Sequence, residues 1–177
     1  GAVGQSTSLK TLTLSNSYGA TFSSPVCTGT SVVLSDTVAG QVVRFADNLS
    51  TPTLTTTAHG YHLELLGSTT SITDTGAATT FLHTGHLVLG NAATDTLSFA
   101  GGLTATAPAA ISVAGSLGTT NAAMSLGDNN TALTLTANVT LNTTGGNLTL
   151  GGAVNGTTVN TESLSLNAGT TGAVSVT

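Results

Sequence analysis

The chain has 177 residues, 39% of them hydrophobic and only 5% charged, with a formal net charge of -5. Lys10 and Arg44 are its only cations, so no patch can displace counterions from phosphates, which excludes a nucleic-acid partner. Hydrophobicity this high with so little charge excludes a disordered chain, and no apolar run is long enough to cross a bilayer as a helix, so no membrane insertion is expected.

An ordinary soluble domain has roughly 25% charged residues. Here the polar role passes to Gly, Ser, Asn and above all Thr, with 38 copies. Thr and Val are β-branched and favour a pleated surface over a helix. Short alternating segments follow in chain order. They are Leu9 to Leu14, Val32 to Leu34, Val42 to Phe45, His62 to Leu66, Thr70 to Thr73, Thr80 to Leu82, His86 to Leu89 and Thr96 to Phe99. Then come Leu103 to Thr106, Ile111 to Val113, Ala123 to Leu126, Ala132 to Thr136, Val139 to Leu141, Asn147 to Leu150, Ser163 to Leu166 and Ala173 to Val176. Turn residues separate them. Strands this short suit a coil with three faces better than a sandwich.

A repeat confirms that preference. His59-Gly60-Tyr61-His62-Leu63-Glu64-Leu65 returns 24 residues later as His83-Thr84-Gly85-His86-Leu87-Val88-Leu89. One period on, Ile111-Ser112-Val113 keeps the closing triplet and the histidines are gone. A fixed period of this length marks a solenoid. The expected fold is an all-β, right-handed parallel β-helix of about 22–24 residues per coil, forming one domain over 1–177. Roughly 7 or 8 coils at a strand spacing of about 4.8 Å would stand about 35 Å tall. Leu63, Leu87 and Ile111 should form one inward stack.

All four histidines lie in the two copies. Alternation puts His62 and Glu64 opposite Leu63 and Leu65, hence towards solvent. His86 should lie beside His62, and His83 beside His59. Such pairs could share Zn, Ni or Cu, with Glu64 as a further ligand, so His59, His62, His83 and His86 are candidate metal ligands. The competing reading is a duplicated coil that copied two surface histidines. Crowded imidazoles would also depress the titration of one partner.

Other constellations are thinner. Asp36, Asp47, Glu64, Asp74, Asp95, Asp128 and Glu162 are scattered, mostly among turn residues, although Asp74 and Asp95 could lie one coil apart. A hydrolase or lyase needs clustered acids or bases, so no enzyme and no cofactor are expected. Thr11-Leu12-Thr13, Thr53-Leu54-Thr55 and Thr134-Leu135-Thr136 resemble an ice-binding row but do not recur in register. Asn48, Asn129, Asn138, Asn142, Asn147 and Asn155 open Asn-x-Ser/Thr sequons; the five from Asn129 to Asn155 are candidate glycosylation sites. Cys27 is alone, so no intrachain disulfide forms, and it reads as a small buried hydrophobe. The N-terminus shows no secretory leader. Neither end carries a cap, so a fragment of a longer protein or a subunit of a longer assembly is expected.

The stretch Ala137-Asn138-Val139-Thr140-Leu141-Asn142-Thr143-Thr144-Gly145-Gly146-Asn147-Leu148-Thr149-Leu150-Gly151-Gly152-Ala153-Val154-Asn155-Gly156 resembles the β-strand repeats of large bacterial surface proteins. So do Ser163 to Val176 and Gly1 to Leu14. These are the filamentous-haemagglutinin-like and autotransporter-like adhesins. The resemblance covers most of the chain through composition and cadence, and the histidines lie outside it. It implies an extracellular or cell-surface stalk or adhesive fibre whose partners are host or matrix glycans or proteins. Two alternatives are a filament subunit that self-associates through open coil ends and a carbohydrate-active or carbohydrate-binding β-helix domain.

Overall fold

Alternation decides which side chains leave water, and here it operates on nineteen short strands with no helix among them. The computed structural model describes residues 1–177. The strands pair in parallel and stack as a β-solenoid with three faces. The first face is seven strands deep, running Ala20–Phe22, Val42–Phe45, His62–Leu65, His86–Leu89, the first part of Ala110–Gly118, the first part of Leu133–Asn142, and Val154–Gly156. The second face runs from the first part of Val26–Leu34 through Leu49–Thr51, Thr69–Ile72 and Thr96–Phe99. It continues through the second parts of the two long strands to Leu164–Asn167. The third face holds Leu9–Leu14, the second part of Val26–Leu34 and Thr53–Thr56. It resumes with Thr79–Thr80, Leu103–Ala105, Met124–Leu126, Leu148–Leu150 and Val174–Val176.

The inward stack is in the expected register. Leu63 pairs with Leu87 and Leu87 with Ile111, and all three are fully buried. Val43 and Leu133 extend the row in both directions. Burying each Leu or Ile side chain contributes about 1.5–3 kcal/mol. The core is aliphatic with a few aromatic rings, among them Phe45, Tyr61, Phe81 and Phe99.

Coil length varies more than the expected 22–24 residues. Val43 and Leu63 are 20 residues apart, whereas Thr70 and its partner Leu97 are 27 apart. The excess sits in corners, because the inward rows must stay in register while turns can lengthen outwards. Sharp corners need glycine. Gly115 has φ +80°, and a Cβ there would lie 2.4 Å from the Asp95 carbonyl oxygen. It lets Ala110–Gly118 turn from one face to the next without leaving the ladder.

Several strands escape the sequence pattern. Ala20–Phe22, Leu49–Thr51, Thr53–Thr56 and Val154–Gly156 were not expected. Thr28, Thr51, Thr56 and Thr70 point inwards, although Thr reads as solvent-facing. The Thr28 and Thr51 hydroxyls satisfy each other at 2.6 Å. Thr70 Oγ1 is buried between the Leu49 and Leu97 positions with no partner. Thr70→Val is therefore expected to stabilise the fold by about 1–2 kcal/mol, since it removes an unpaired hydroxyl and keeps the shape. A urea midpoint at or below that of the parent protein would contradict this.

The sequon asparagines also serve the corners. The Oδ1 atoms of Asn48, Asn138 and Asn147 accept from the backbone N–H of Thr69, Ser163 and Ala173 in the next coil, at 2.9, 3.0 and 3.0 Å. Asn142 Oδ1 accepts from Thr144 N. Asn129 and Asn155 are exposed. Cys27 is half-buried rather than buried, with Sγ 3.2 Å from Ser8 Oγ, because its side chain points out of the core under the N-terminal segment. Asp74 and Asp95 do not face each other. Asp74 follows strand Thr69–Ile72, whereas Asp95 precedes Thr96–Phe99. Asp95 accepts from Asn91 N and Ala92 N and so closes its own turn.

Candidate functional site

The histidine copies lie where the first face begins. Because Leu63 and Leu87 point inwards, His62, Glu64 and His86 project from the outer surface of that face. Glu64 is in register with Arg44 on the preceding coil, and its Oε2 accepts from Arg44 Nε at 2.5 Å. The pair is partly exposed, so its contribution to stability is about 0–1 kcal/mol.

His62 and His86 are neighbours across one coil, as expected. Their ring centroids are 6.5 Å apart and the rings meet edge to face. His62 Nδ1 accepts from the backbone N–H of His86 at 2.8 Å. His86 Nε2 is hydrogen-bonded to Ser112 Oγ one coil further on, at 2.9 Å. Each ring thus commits one nitrogen to the protein. Burial holds His86 below its usual imidazole value; the neighbouring His62 adds to this, and Glu64 opposes it. One partner is therefore depressed, but desolvation outranks the repulsion that the sequence suggested.

The second expected pair does not form. His59 is exposed, with Nδ1 3.9 Å from Asp36 Oδ1. His83 is completely buried. Its ring stacks on Tyr61 at 5.1 Å and meets Phe81 edge-on at 5.9 Å. Neither nitrogen of His83 has a hydrogen-bond partner. Burial pushes its pKa down to about 4; the His86 backbone opposes this, and the charges of the nearby His62 and His86 add to it. The two copies diverge because Tyr61 fills the corner in the first, whereas the second has Gly85 in that register and His83 turns in against the Tyr61 ring. His59 thus faces solvent beside Asp36, whereas His83 faces the core. No group of three or more His, Cys, Asp or Glu side chains comes together in a metal-holding arrangement.

The remaining concave feature lies on the third face, away from the histidines. It is a cavity of about 150 Å³ between Thr53–Thr56 and Thr79–Thr80. Sequence reasoning missed it because it arises from a ladder interruption that no motif marks.

No family model matches the chain, and neither the curated proteins nor the solved structures yield a match.

Proposed function

We propose that this chain is a rigid structural segment of an extracellular or cell-surface fibre that serves in attachment. One observation carries the reading: three parallel ladders stack about seven coils around a continuous aliphatic core. Such an element resists bending, because each coil is hydrogen-bonded to the next along at least two of its three faces. Its outer surface is rich in Thr, Ser and Asn and poor in charge. That favours polar, short-range contacts with a matrix over electrostatic capture. The host or matrix partner is a glycan or a protein.

Antibodies raised against the chain test the location, and beads coated with the protein test the attachment. The expected result is labelling of intact cells and bead retention on a glycan- or protein-coated surface. Labelling only after permeabilisation, or no retention above that of an unrelated β-solenoid, would overturn the proposal.

A further inference from the structure

The third face is the only one whose ladder is interrupted. Thr53–Thr56 pairs with Val26–Leu34, and Thr79–Thr80 pairs with Leu103–Ala105, but no ladder joins Thr53–Thr56 to Thr79–Thr80. The cause is a long corner. Only Pro52 separates the second-face and third-face strands in one coil, whereas residues 73–78 separate them in the next. At one end of the gap Thr56 substitutes for the missing bonds. Its Oγ1 donates to the Thr80 carbonyl at 3.3 Å and accepts from Leu82 N at 2.7 Å. At the other end the strands part, and the cavity opens there.

From this geometry we infer that the wedge between Thr53–Thr56 and Thr79–Thr80 is a binding site for one neutral pyranose sugar. The inference rests on the attachment reading and deepens it by naming a ligand class. A cavity of about 150 Å³ accepts a six-membered ring. Its lining is amphipathic in the way a pyranose is. Pro52, Ala77 and Ala78 offer apolar surface to a C–H face, over a floor formed by the buried Leu54 and Ile72. Thr53, Thr55 and Asp74 offer hydroxyl and carboxylate groups to sugar hydroxyls, and the backbone edges that face the gap pair with no strand. Asp74 is held in place: its Oδ1 accepts from Gly76 N at 2.9 Å and its backbone N–H donates to the Pro52 carbonyl at 3.0 Å. The corner is fixed from the next coil as well. A Cβ on Gly101 would lie 2.3 Å from the Ala77 carbonyl oxygen, so residues 74–77 pack directly on that backbone. Charge selects a neutral ligand. Neither Lys10 nor Arg44 lines the cavity, so nothing offsets the Asp74 carboxylate against an anionic sugar.

The test is an amide NMR titration of the full chain with the methyl glycosides of glucose, galactose and mannose, and with methyl glucuronide as the anionic arm. At least one neutral glycoside is expected to shift the amides of residues 53–55 and 74–79 saturably. Asp74→Ala should weaken that binding by about tenfold or more. Ala78→Leu, an exposed position at the rim, should abolish it without changing the circular dichroism spectrum. No saturable shift with any neutral glycoside, tighter binding of the glucuronide, or binding that both variants leave unchanged would overturn the inference. Bead retention that persists in Ala78→Leu while the titration fails removes this site and leaves the attachment reading standing.

Discussion

Leu87→Asp is expected to abolish cooperative folding. Leu87 is completely buried in the middle of the first face, with Leu63 below it and Ile111 above. Truncating a buried Leu costs about 2–5 kcal/mol from lost packing alone. A carboxylate at that site must also be desolvated or protonated, at several kcal/mol more. The sum reaches the whole stability of a typical domain, about 5–15 kcal/mol. The adjacent Val88 points outwards and is half-exposed. Val88→Asp should therefore remain folded and lose about 1 kcal/mol, partly through repulsion from Glu64 in the neighbouring register position. Urea melts followed by circular dichroism read both variants. Equal behaviour of the two would show that the parity of the strand is wrong.

Acid is the second large perturbation. His83 titrates near 4 in the fold and near 6.5 when exposed. Above about pH 6.5 both states are neutral there and stability is unaffected. Between about 6.5 and 4 the unfolded chain takes up a proton that the folded chain refuses, so stability falls as pH falls. Below about 4 the loss is complete, at about 3 kcal/mol. His86, also depressed, acts in the same direction. His83→Leu removes both unpartnered nitrogens, so it should lose little at pH 7 and show a much flatter profile from pH 7 to 4. Carboxylates contribute equally to both proteins, so the difference between the two profiles isolates His83. Superimposable profiles would contradict the buried placement of its ring.

The legible part of this fold is the part governed by parity. In Leu63, Leu87 and Ile111 a strict alternation and a constant period coincide, and the structure reproduces both. Parity was less informative where polar residues face inwards. Thr51 and Thr56 can be buried because their hydroxyls bond to Thr28 and to backbone groups of Thr53, Thr80 and Leu82, and a hydroxyl carries no mark of its partner in the sequence. The histidines show a different failure. Repetition suggested that His83 copies His59, yet His83 shares its parity with the buried Phe81 and Gly85. That local signal outweighed the repeat, because the Tyr61 ring has to be covered. The broken ladder beside Thr53–Thr56 depends on the length of one corner, residues 73–78. Its consequence appears only when neighbouring coils are stacked.

The parallel stacking itself is tested most directly by spin-label distances along one outward row. Thr21, Arg44, Glu64, Val88, Ser112, Thr134 and Asn155 are successive register partners on the first face. With Cys27 replaced by Ser, one label stays at Thr21 and the second moves to Val88, Ser112, Thr134 and then Asn155. The solenoid predicts distances of about 14, 19, 24 and 29 Å, one strand spacing of about 4.8 Å per coil. A series that does not lengthen by one strand spacing per coil would contradict it.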